Sequence, residues 1–276
     1  MSGHWRFGAL LYGAVTLTAM APAVAATIEE LSQALQIRQV ADILAAEGTT
    51  YGDTIESNMF PGRGGAGWDG IVQQIYVAET MADKLDQGLE QELAQVDLDP
   101  LVRFFASDMG RRIITLELSA RDAFRDAQIE EAATEVARDL IAGEGGRYQL
   151  LREFIEVNDL IESNVVGALN ANMAFYRGME AGGAFGGEMT ENQMLSDVWT
   201  EESAIRADTL IWLYAYLGLA YQPLRDDDLR AYIDLSKTPG GQALNRALFV
   251  AYDHMYNDIS FRMGQMTAVF MSGDAL

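Results

Sequence analysis

The 276-residue chain carries 41 acidic against 19 basic residues, a formal net charge of −22, with 49 % hydrophobic residues and no cysteine. Such a field repels nucleic acid and anionic lipid, and the missing thiols exclude thiol catalysis, thiolate metal sites and disulfides. His4 and His254 are the only histidines, and with His4 inside the N-terminal segment read below as a signal, His254 stands alone in the mature chain, which excludes zinc centres built on two or three histidines.

Met1 to Ala26 reads as a secretory signal. His4 and Arg6 form a weakly basic start, Phe7 to Met20 is apolar, and Ala23-Val24-Ala25-Ala26 offers small residues for cleavage. The apolar run is short for a membrane span, which needs ~20 residues. No later stretch is long enough either, so the mature chain is expected to be soluble, periplasmic and without an integral membrane span.

Thr27 caps an expected helix from Ile28 to about Ala46, closed by Gly48. Pro61 to Gly67 is a loop. Ile71, Ile75, Ala78, Ala82, Leu85 and Leu89 step by threes and fours, which predicts one amphipathic helix. A short helix precedes Ser107, and from Arg111 a long one runs towards Ile141. Another spans Tyr148 to Tyr176. A second glycine-rich loop covers Gly178 to Gly187, followed by a helix capped at Thr200 or at Thr190 and stopped by Pro223. Asp226-Asp227-Asp228 opens a short helix that ends near Lys237. A long helix then starts at Pro239 or Gly240, with Leu244, Leu248, Ala251, Met255, Ile259, Met263, Met266 and Phe270 on one face. No stretch alternates as a strand does. The fold class is all-α, a helical bundle without β-sheet.

Leu98, Phe104, Ser107 and Gly110 recur 131 residues later as Leu229, Leu235, Thr238 and Gly241. Trp68 and Trp199 share that offset. The simplest account is an internal duplication: a signal peptide over 1–26, an N-terminal helical repeat over 27–145 and a C-terminal one over 146–276. The turn has its own logic. Ser107 or Thr238 can accept a backbone N–H bond as a cap, and Gly110 or Gly241 permits close approach.

The stretch Phe104-Phe105-Ala106-Ser107-Asp108-Met109-Gly110-Arg111-Arg112 resembles the exported bacterial family known as domain of unknown function 2059. Its hallmark is an aromatic-rich short helix, a Ser/Thr-x-x-Gly turn and a basic or polar helix start. The later copy, Leu235 to Leu244, departs from it at the aromatic pair. The resemblance implies an all-helical, periplasmic or envelope-associated protein and carries no activity with it.

The remaining chemistry is sparse. Gly62 to Gly67 precedes a helix as a phosphate loop does, but it lacks the preceding strand and the following Lys-Ser/Thr. Paired carboxylates could serve an envelope hydrolase acting on cell-wall material, yet with 41 acids no pair stands out. His254 with Met255, Met263 and Met266 is a copper candidate, because thioethers suit a soft metal; the same methionines fit the core stripe. The expectation is therefore a non-enzymatic envelope protein, without cofactor, whose helical halves bind another envelope protein. A hydrolase and a copper module are the alternatives. Oligomeric state is left open.

Overall fold

The structure, a computed structural model, describes residues 25–273. The expected signal segment lies outside them, apart from Ala25 and Ala26. The described residues are all-α, with no strand among them. In chain order the helices are α1 (Ile28–Ala34), α2 (Ile37–Met59), α3 (Gly65–Ile75), α4 (Ala78–Glu92), α5 (Asp99–Phe105), α6 (Asp108–Ala123) and α7 (Ala127–Gly143). They continue as α8 (Gly146–Val157), α9 (Leu160–Ala181), α10 (Glu191–Thr200), α11 (Glu202–Tyr221), α12 (Asp226–Lys237) and α13 (Pro239–Ser272).

Several expected helices are broken. Thr27 does cap α1 through a capping box with Glu30, but α1 ends after two turns where Gln36 takes a left-handed conformation (φ 55°). Gly48 closes nothing. It lies inside α2, where a Cβ would run into the Tyr76 ring. The expected helix through Ile71 and Leu89 breaks at Tyr76 and Val77, both outside helical geometry. The helix from Arg111 stops at Phe124, and Asp126 recaps the chain by accepting the Gln128 N–H. The span from Tyr148 divides at Asp159, another non-glycine residue with positive φ, 48°. The later helix is also two: Thr190 caps α10 in a capping box with Gln193, α10 ends at Thr200, and α11 starts separately at Glu202 with no side-chain cap.

The turns at Ser107 and Thr238 carry the same hydrogen bonds. Ser107 Oγ accepts from the Gly110 N–H at 3.1 Å and donates to the Phe104 carbonyl at 2.6 Å. Thr238 Oγ1 accepts from the Gly241 N–H at 3.0 Å and donates to the Leu235 carbonyl at 2.7 Å. A Cβ on Gly110 would strike the Phe104 carbonyl, and one on Gly241 the Leu235 carbonyl. Trp68 and Trp199 are not equivalent. The first is fully buried near the start of α3, and the second is 59 % exposed near the end of α10.

Helix α13, about 50 Å long at 1.5 Å per residue, organises the interior. Its Leu244, Ala251, Met255, Ile259 and Met263 are buried in one core with residues of α1 to α6. Along its C-terminal half it presses on α9 so closely that a Cβ on Gly264 would meet the Phe175 carbonyl, and one on Gly178 the Phe261 carbonyl. A second core joins α6 and α7 to α8, α11 and α12. Both cores draw on residues from either side of position 145.

Candidate functional site

Where the two cores meet, the helices leave a cavity of about 930 Å³. Phe105, Phe154, Trp212, Leu217 and Leu244 contribute to a largely apolar and aromatic wall. Val166, at 44 % exposure, and the exposed His254 also line it and mark its rim.

Into this wall α6 sends one carboxylate. Glu117 is half-buried and lines the cavity, and its Oε1 accepts a 2.6 Å hydrogen bond from the Tyr221 hydroxyl. Tyr232 of α12 also hydrogen-bonds to its side chain. Tyr216 Oη donates to the Glu117 backbone carbonyl at 3.0 Å. Burial pushes the Glu117 carboxyl up to about 7, and the bonds from Tyr221 and Tyr232 oppose that rise. The tyrosines are themselves pushed up by burial, with the Glu117 charge adding to it, so they stay protonated hydrogen-bond donors.

One turn further along α6, Arg121 reaches across to α2. Its Nε and Nη2 donate to Glu47 Oε1 and Oε2, both at 2.8 Å, a two-point match that fixes the guanidinium plane. Burial works against its charge, but Tyr256 and Glu47 outweigh it and hold the guanidinium protonated. Other acids near the mouth are engaged as well: Asp253 accepts from Asn170 and Asn257, and Glu162 from Arg206.

The residues singled out from sequence fall in other places. Phe104, Ser107, Gly110, Leu235, Thr238 and Gly241 build the two turns; Leu235 and Gly241 also touch the cavity. His254 is exposed, whereas the adjacent Met255 is fully buried, as is Met263. The histidine and these two methionines therefore do not face a common point. Among the described residues no group of three or more His, Cys, Asp or Glu is placed to hold a metal ion. In the glycine loop, the N–H groups of Gly64 and Gly65 donate to Glu56 Oε1 at 2.9 and 3.4 Å, so a carboxylate already occupies the position a phosphate would need. No helix among the described residues is long and apolar enough to cross a membrane.

The arrangement can hold an apolar molecule and offer it the Glu117 carboxylate and several hydroxyls, with further carboxylates on the lining. A carboxyl near neutrality also has the acidity a general acid needs. No curated protein and no solved structure matches the chain. Residues 79–139, which hold the first turn together with Glu117 and Arg121, match the family described as uncharacterized protein conserved in bacteria, DUF2059.

Proposed function

We propose that this is an exported, non-catalytic binding protein of the bacterial envelope whose cavity receives a small, largely apolar molecule. The observation that carries the reading is the cavity itself. A volume of about 930 Å³ lies within the ~300–1,000 Å³ of small-molecule sites, and a wall more apolar than polar, with polar groups set into it, matches their usual chemistry. An open-mouthed hollow of this size suits a small molecule better than the helix or strand of an envelope protein partner. Export and a periplasmic location rest on the composition of Met1 to Ala26 and on the family resemblance.

A saturation experiment tests the binding reading. The neutral fluorescent probe N-phenyl-1-naphthylamine should bind with a stoichiometry of one, and Leu248→Trp, which fills the cavity from α13, should weaken it roughly tenfold, about 1.4 kcal/mol. No saturable binding, or binding indifferent to Leu248→Trp, overturns the proposal. A hydrolase acting on cell-wall material is the second reading, favoured by the Glu117 carboxyl being raised to about 7. It requires cleavage of peptidoglycan fragments that disappears in Glu117→Gln.

We also infer that residues 27–145 and 146–276 arose by duplication. Supporting this, α1–α2 and α8–α9 are each joined through a left-handed residue, Gln36 and Asp159. A glycine-containing loop follows both α2 and α9, and the later turns at Ser107 and Thr238 bond alike.

A further inference from the structure

We propose that the cavity selects hydrophobic organic cations, alkyl- or arylammonium compounds, seating the charge against the Glu117 carboxylate and the tyrosine rings around it. This deepens the reading of the cavity as a small-molecule site and rests on it.

Four observations point the same way. First, Glu117 faces the cavity without being sealed from it: it lines the wall and is only half-buried. Its hydrogen bonds come from neutral hydroxyls, so no protein cation neutralises it directly. A carboxylate away from bulk water and lacking a counter-charge is costly, and a ligand cation would supply that charge.

Second, the surroundings of Glu117 are rings. Tyr216, Tyr221 and Tyr232 converge on it, and Trp212 stacks on Tyr216 with centroids 5.0 Å apart. The negative faces of tyrosine and tryptophan rings attract ammonium groups, more strongly once water is excluded. A carboxylate set among aromatic rings answers a cation on both counts, and a hydrocarbon tail attached to that cation has the apolar wall to cover it.

Third, the wall gives an anion little to hold. Arg121 is its one lysine or arginine, and both oxygens of Glu47 already take its donors at 2.8 Å. An anionic headgroup would have to break a bidentate pair and would then lie one helical turn from Glu117. Around the rim, Asp159 and Asp253 add acids, while Glu162 is already paired with Arg206. Fourth, the net charge of −22 raises the local concentration of cations and lowers that of anions.

Calorimetry on the full mature chain tests this with three matched ten-carbon probes: decyltrimethylammonium, decanol and decanoate. The expected order is ammonium tightest by roughly tenfold over decanol, with decanoate weaker still. In Glu117→Gln the ammonium should lose that advantage while decanol stays within about twofold, which also shows that the variant is folded. Equal affinity for all three probes overturns the cation inference and leaves the small-molecule reading standing. Tightest binding of decanoate overturns it in favour of Arg121 as the recognition group. An ammonium preference that persists in Glu117→Gln assigns it to the acidic surface and overturns it too. If no probe binds, the small-molecule reading falls with it.

Discussion

The Tyr221 hydroxyl donates a 2.6 Å hydrogen bond to the Glu117 carboxylate across 104 residues of sequence. Tyr221 belongs to α11 and Glu117 to α6, so the bond ties the matched family segment to the C-terminal half of the chain. It also joins a hydroxyl held protonated by burial to a carboxyl whose proton is held more tightly than in water.

That pairing sets a pH dependence. The Glu117 carboxyl rises on folding from its ordinary 4.5 to about 7, so the folded chain binds its proton more tightly than the unfolded chain. Its contribution is neutral below pH 4.5, turns progressively unfavourable as pH rises to about 7, and is constant above. Tyr216 and Tyr221 from α11, Tyr232 from α12, Tyr252 from α13 and Arg121 from α6 face this group, and all are shifted to keep their charge state through that range. Glu47 of α2 completes the surroundings through its pair with Arg121. Glu117→Gln should therefore gain ~1–2 kcal/mol over the parent between about pH 4 and pH 8, a figure discounted for the side chain's partial exposure to the cavity. Denaturation curves whose difference stays flat over that range would contradict the assignment.

The two capped turns give a second expectation. A methyl group on Gly110 or Gly241 runs into the carbonyl that ends the preceding helix, and a backbone carbonyl cannot swing aside as a side-chain tip can. Gly110→Ala and Gly241→Ala should each lose about 1–3 kcal/mol. Gly70, inside α3 with open space where its Cβ would stand, should gain up to ~1 kcal/mol on the same change. Urea midpoints that move together for all three variants would show that the turns are not under steric control.

How much of this could be read from the chain follows from where the signals lie. The boundary at Thr238 and Pro239 is local, since a hydroxyl cap, a proline and a glycine are adjacent, and the structure begins α13 at Pro239. The apolar stripe of α13 is likewise a periodic signal within one element. The breaks at Gln36, Tyr76 and Asp159 were missed because the apolar rhythm continues across them. Both flanks pack into the same core, so the pattern hides the kink, and neither Gln nor Tyr marks a helix end as glycine or proline does. Glu117 was illegible for a different reason. It is one acid among 41, and what distinguishes it, Tyr221 and Tyr232, comes from more than a hundred residues away. Only its neighbours offered a hint: Ile113, Ile114 and Ala120 are buried on the same helix, so this acid stands beside a core-facing stripe.

His254 and the methionines make a third test. His254 is exposed, Met255 and Met263 are fully buried and Met266 is half-buried against the same core, so the histidine is separated from the methionines by its exposure. His254→Gln should leave the melting temperature within experimental error of the parent. A stoichiometric rise in melting temperature on adding copper(I) under anaerobic conditions, lost in Met263→Leu, would restore the metal reading.

The start of the described chain carries the last prediction. The Ala26 backbone N–H donates to Asp99 Oδ1 at 2.7 Å, bridging to the first turn of α5, while Thr27 begins the capping box of α1. The small residues Ala23 to Ala26 permit cleavage after Ala25 or after Ala26, and these contacts favour the first. Cleavage after Ala25 turns the Ala26 amide into an α-ammonium already in place for Asp99, and a charge-assisted bond is stronger than the neutral one it replaces. Cleavage after Ala26 puts the Thr27 ammonium on Glu30 Oε2, which its amide already meets at 2.9 Å, but removes the bridge to α5, so only the first product keeps both contacts. The intact mass of the exported protein should therefore begin at Ala26. Acetylating that terminus should lower stability by about 1 kcal/mol, since the pair is only partly buried, and in Asp99→Asn acetylation should make no difference. A mass beginning at Thr27, or equal stability of the free and acetylated forms, would assign the contact to the precursor alone. Met1 retained on a membrane-bound species would show that the segment is an anchor.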